Sequence, residues 1–293
     1  TTFLRGIAHY GLLVTVAAFL ISGVLFERLG MQTTMWNVLG IQLPVSGYLV
    51  AFELAAIAFI LSGFILSTIP TKQVQNKNYP LGKFTREYLH QLRAQAKLFF
   101  ANNNSFLLFV ASVIIGVVQT LGASFYGYYI YTLFADQYLG GFMNIAVIFS
   151  VAILASFLGP GVTRFVQKRA GLAPMFVFGT LLLLLMPLIL VYNPSFYPVL
   201  AAAALALLGS SIIGVAQGLL AQKLLSLSAR RTFFGSLRFL SALPFLVLAG
   251  GGALIATLHS FTILFQIIIA VLLFLVAPLY FVLVLRANKK RTY

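Results

Sequence analysis

The sequence predicts an all-α, polytopic membrane protein of eight transmembrane helices. Three observations predict it. Hydrophobic residues make up 61% of the 293 and charged residues only 8%, with a mean hydropathy of +1.03. A soluble domain carries about 25% charged residues, so this composition belongs to a chain whose solvent is lipid. Apolar stretches of bilayer length also recur. A helix crosses the hydrocarbon in about 20 residues, and eight segments meet or approach that length: 7–26, 46–69, 105–134, 141–163, 174–192, 197–220, 233–258 and 261–285. Finally, the cations fall in alternate connections. No segment alternates apolar and polar residues over a strand's length, and helices satisfy their own backbone hydrogen bonds in lipid.

In chain order, residues 1–70 hold two spans. The first contains His9 and Tyr10 near its start, and the second contains Glu53. Residues 71–104 form the one long polar interval. Within it Lys83, Arg86, His90, Arg93 and Lys97 recur at helical steps, while Phe84, Tyr88, Leu92, Ala96 and Phe99 line another face. This pattern predicts a basic amphipathic helix at the membrane surface; a solvated linker helix is the plainer alternative. Residues 105–285 hold six spans, and 286–293 form a basic tail. Three consecutive glycines, Gly250–Gly252, mark a weak point in the seventh span.

Threading eight spans from an inside N-terminus puts eighteen of the 19 cations inside and only Arg28 outside. The outer connections (27–45, 135–140, 193–196 and 259–260) are otherwise free of Lys and Arg, and Trp36, Tyr192, Phe196 and Tyr197 lie in or beside them. Positive residues stay cytoplasmic and aromatics collect at the interfaces. Both termini are therefore expected in the cytoplasm, with the chain integral to a bacterial inner or plasma membrane. The net charge of +15 is read as topology, not as a nucleic-acid footprint. Cysteine is absent, which excludes disulfides and thiolate metal sites.

At 104–180 a long span ending in FYGYYIYTLFADQ precedes one closing on GPGVTRFVQKRAGLAPMFVFGT. This order resembles the seventh and eighth helices of a major facilitator superfamily transporter and the loop after them. The family carries a Gly-x-x-x-Asp-Arg motif there. Gly159, Arg164, Lys168 and Arg169 match it, while Thr163 replaces the acid. The tyrosine-rich span and the Arg230–Arg238 entry into the seventh span resemble the glycoside–pentoside–hexuronide cation symporter branch. The resemblance implies a complete C-terminal six-helix bundle, an interdomain loop at 71–104, and an N-terminal half lacking its first four helices.

Only four acids exist: Glu27, Glu53, Glu87 and Asp136. Glu53 alone falls within a span, where an ionisable group costs about 2.5–3.5 kcal/mol to insert. It is either an ion- or proton-coupling residue or a water-facing carboxyl near the outer end. Among the polar residues of the spans, Gln119, Tyr126, Tyr129, Asn144 and Gln217 are the candidate substrate contacts. Tyr126 and Tyr129 share a helical face and combine apolar rings with hydroxyls, although an interfacial aromatic belt explains them as well. Asn144 and Gln217 also serve as interhelical hydrogen-bonding groups. Gln266 is a weaker candidate, because the last helix of the family lies outside the cavity.

These features point to a secondary transporter that moves a small solute, sugar-like or another organic molecule, alone or with H+ or Na+. No cofactor is implied. A transporter-like scaffold, receptor or chaperone is the alternative. A membrane-embedded enzyme is disfavoured: the chain lacks His-Glu-x-x-His, clustered aspartates and a nucleotide-binding Gly-Lys-Ser/Thr loop.

Overall fold

The computed structural model of the chain describes residues 2–29, 34–38, 41–45, 103–226, 246–248 and 250–289, with residues 50, 53, 56, 57, 60, 61, 230 and 233. Almost everything described is helical. Helix α1 (Thr2–Leu29) leads into a short hairpin, and the bundle follows: α2 (Asn103–Phe134), α3 (Gly141–Ser156), α4 (Gly159–Ala170), α5 (Leu172–Tyr192) and α6 (Phe196–Leu224). Helix α7 (Leu246–Leu258), α8 (Phe261–Val271), a π-helical turn (Leu272–Val276) and α9 (Ala277–Lys289) complete it. Among the described residues, four helices are long and apolar enough to cross a membrane: α2, α5, α6 and the continuous Phe261–Ala287 stretch. The bent pair α3–α4 makes a fifth if it is counted as one span. The surface helix expected within 71–104, and most of the spans expected at 46–69 and 233–258, lie outside the described residues.

The hairpin corrects the expectation of helices alone. Strands β1 (Thr34–Val38) and β2 (Ile41–Val45) pair antiparallel, with Val38 opposite Ile41. They occupy the connection read as an outer loop. Pro44 inside β2 and a five-residue length kept the sequence pattern below a strand's usual signal.

The bundle is built on close helix crossings. A Cβ on Gly179 of α5 would come within 2.7 Å of Ile213, and one on Gly209 of α6 would come within 2.6 Å of the Gly179 carbonyl. Glycine at both positions lets these two backbones meet, as small residues do in lipid. On the other side, α1 runs antiparallel to α3. Phe19 stacks on Phe149 at 6.1 Å and Phe26 on Phe142 at 5.1 Å, with Gly23 against Ala146 between them. The positions 19, 23 and 26 form one helical stripe and 142, 146 and 149 form its counterpart.

Helix α3 ends where Pro160 begins to matter. A proline ring has no N–H and crowds the carbonyl four residues back, here Ser156. The chain accordingly breaks after Ser156 and turns by 41° into α4. The span expected at 141–163 is thus two helices, and the second runs through the loop motif to Ala170. At the opposite end of the chain, Arg286 Nη1 donates to Asn104 Oδ1 at 3.4 Å, so the start of α2 and the end of α9 share one end of the bundle.

Candidate functional site: a cavity at mid-bundle

Helix α2 runs 32 residues, and Gln119 lies at its middle. Tyr126, two turns further on, returns to the same face. Both line a cavity of about 80 Å³. Long side chains on a helix lean back over the preceding turn. Tyr126 does so across Gly122, where a Cβ would lie 2.7 Å from its ring. Phe265 of α8 holds the ring from the other side, at 5.3 Å between centroids. Gly122 and Phe265 together fix where the Tyr126 ring stands.

The opposite wall comes from α6, which presents Ala203, Ala206, Leu207 and Ser210. The small members fall at i, i+3 and i+7, so one stripe of α6 withdraws and leaves the space open. Phe149 and Ala152 of α3 and Leu183 and Met186 of α5 close the sides, and Leu272 closes the remainder. Leu272 opens the π-helical turn. Such turns interrupt the regular ladder and concentrate at functional sites. The last span therefore does contribute to the cavity, against expectation, while its Gln266 faces outward and is exposed.

Among the described residues the polar inventory of this wall is short: Gln119, Tyr126 and Ser210. None of the three has a hydrogen-bonding partner among the described residues. Each lines the space without a described partner for its polar group.

The other candidates have different surroundings. Tyr129 packs edge-on to Phe265 at 5.3 Å and against Phe261 at 5.5 Å. With Phe125 and Tyr128, also against Phe261, it fastens the end of α2 to α8. Asn144 is fully buried but away from the cavity. Its Nδ2 donates to the Phe134 and Gln137 carbonyls at 2.9 and 2.8 Å, and its Oδ1 accepts from the Leu139 N–H at 3.2 Å. That spends the side chain on the 135–140 connection. Gln217 donates to the Tyr280 hydroxyl, which Ser112 also reaches. Tyr280 is fully buried and stacks on Phe176 at 4.1 Å. Gln217 thereby ties α6 to α9. Glu53 is helical and exposed, and it is not on the cavity wall.

The loop motif resolves into packing and surface. Gly159 meets Ser211 of α6, and a Cβ there would collide with it. Thr163, in place of the family's acid, is buried and donates to the Gly159 carbonyl at 2.7 Å. Arg164, Lys168 and Arg169 are exposed along α4, with the Arg169 guanidinium 4.3 Å from the centre of the Phe165 ring. No protein-family model, curated protein or solved structure matches the chain.

Two residues escaped the sequence reading. Ser210 belongs to a stripe of alanines and glycines that looks like packing alone. Glu27, read as part of an outer loop, ends α1 and reaches across to the first turn of α3. Its Oε2 accepts from the Phe142 N–H at 3.3 Å, and its carboxylate fills the space beside Gly140, whose φ is +95°. A carboxylate on exposed helix N–H groups is favoured by the helix dipole. Its partner is 115 positions away, so no local pattern announces it.

Proposed function

We propose that the chain is a secondary transporter that moves a small organic solute by alternating access, built as an eight-span, major-facilitator-like membrane protein. The observation that carries this reading is the cavity at the middle of α2, lined by Gln119, Tyr126 and Ser210, which have no hydrogen-bonding partner among the described residues. Transporters of this architecture bind substrate near the bilayer midplane between helices. The alternation of basic and cation-poor connections supports both termini in the cytoplasm and residence in a bacterial inner or plasma membrane. Gly159, Arg164, Lys168 and Arg169 support the superfamily, and the tyrosine-rich span supports the cation-symporter branch within it. Glu53 is the residue proposed to couple transport to H+ or Na+, since it is the one acid read within a span.

A scaffold without transport is the second reading, favoured by the small size of the cavity. Counterflow separates the two. Purified protein in proteoliposomes is expected to exchange a labelled solute from a panel of sugars, alcohols, amides and lysolipids above empty liposomes, and Gln119→Leu is expected to remove that exchange. A flat response across the panel selects the scaffold. The chain has no cysteine, so orientation is tested directly. Single cysteines at the exposed Ser195 and Ser226 are expected to react with an impermeant maleimide from outside and inside, respectively.

A further inference from the structure

We infer that the mid-bundle cavity takes an uncharged, mostly hydrocarbon group with a single hydrogen-bonding head, such as an alkyl alcohol or a primary amide. This names the ligand class of the site proposed above and rests on that cavity being the binding site. Three observations carry it. No charged side chain stands on the wall among the described residues, so an anion or cation there would be stripped of water with no described opposite charge to meet it. Every described lining residue other than Gln119, Tyr126 and Ser210 is apolar, all hydrocarbon apart from the Met186 thioether. A sugar, with hydroxyls around its whole ring, would leave most of them facing methyl groups and unbonded. The three polar groups also match one head group. Gln119 carries both donors and an acceptor, and the two hydroxyls can do either, which suits a group that itself donates and accepts.

Size agrees with chemistry. The cavity of about 80 Å³ is roughly half the size of an engineered apolar cavity that admits benzene. It accommodates a short alkyl segment and its head, or the end of a longer chain. The α6 stripe of Ala203, Ala206 and Ser210 supplies that room. Leu272, at the π-helical turn, caps it from the last span.

The test uses the full chain in lipid nanodiscs with a short-chain aliphatic diazirine alcohol as photoreactive probe. Its carboxylate counterpart and glucose serve as contrasts. Labelling is expected on the α2 peptide that holds Gln119 and Tyr126, competed by excess unlabelled alcohol but not by glucose. The carboxylate probe is expected to leave that peptide unlabelled. Ala206→Leu, which fills the space, should reduce the α2 label about tenfold. Gln119→Leu, which leaves the volume nearly unchanged, should reduce it about fivefold through one lost hydrogen bond. Equal labelling by the carboxylate, or label confined to outward-facing residues and indifferent to both substitutions, overturns the ligand class. The two ideas fail separately. Cavity labelling without solute exchange removes the transporter reading and leaves the ligand class standing; sugar exchange without cavity labelling does the reverse.

Discussion

Two polar clusters among the described residues are of similar size and opposite character. At the start of α3, Asn144 makes three hydrogen bonds to the backbone of residues 134–139, and Glu27 reaches the first turn of the same helix. At mid-bundle, Gln119, Tyr126 and Ser210 face a cavity and make none among the described residues. Polar groups in an apolar interior are expensive unless bonded. The first cluster meets that cost within the protein and so fixes a turn. The second leaves it open and so selects an occupant. Residue type does not distinguish them, since Asn144 and Gln119 are both amides within apolar helices.

The sharpest way to break this comparison is to make the same exchange in both clusters. Asn144→Leu removes three bonds in a site with no exposure. The Phe134 and Gln137 carbonyls keep second donors, the Gln137 and Gly140 N–H groups, but the Leu139 N–H is orphaned. The expected loss is about 3 kcal/mol, read by denaturant titration in mixed micelles. Gln119→Leu forfeits no hydrogen bond to a described residue, so its stability is expected within about 0.5 kcal/mol of the parent while ligand binding falls. Equal losses from the two exchanges would erase the distinction.

Gly140 comes next in size. Its φ of +95° lies in the region that L side chains avoid, and an added Cβ would meet the Glu27 carboxylate. Gly140→Ala therefore strains the turn and displaces the cap together. A loss of about 2 kcal/mol is expected by the same titration, accompanied by proteolytic cleavage near residues 135–140. An unchanged midpoint would show that the turn relaxes without using the glycine.

Much of the helical frame was legible because its signal is local. The expected ends of the spans at 105–134, 174–192 and 261–285 fall within a few residues of α2, α5 and the Phe261–Lys289 run. Apolar length and turn residues suffice for that. The site was half legible. Gln119 and Tyr126 share a face by their spacing alone, and they do line one cavity. The rest depends on what lies across from each residue. Asn144 and Gln217 read like Gln119 in sequence, and only their neighbours, a loop backbone and Tyr280, commit them to structure. Ser210 matters because α6 faces α2 there. Pro160 lies inside the span read as 141–163, and the break it imposes was not anticipated, because proline is tolerated within membrane helices.

The smallest effect concerns Glu27, and it separates charge from hydrogen bonding in the first cluster. Glu27→Gln keeps an oxygen able to accept from the Phe142 N–H but removes the negative charge over the start of α3. Helix-end charges contribute about 0.3–1 kcal/mol at exposed positions and are screened by salt. The carboxylate is exposed, so the expected loss is about 0.5 kcal/mol at low ionic strength, shrinking toward zero in molar salt. Glu27→Leu, which also removes the acceptor, should lose more and keep most of that loss at high salt. If the two variants match at every salt concentration, the contact is purely electrostatic.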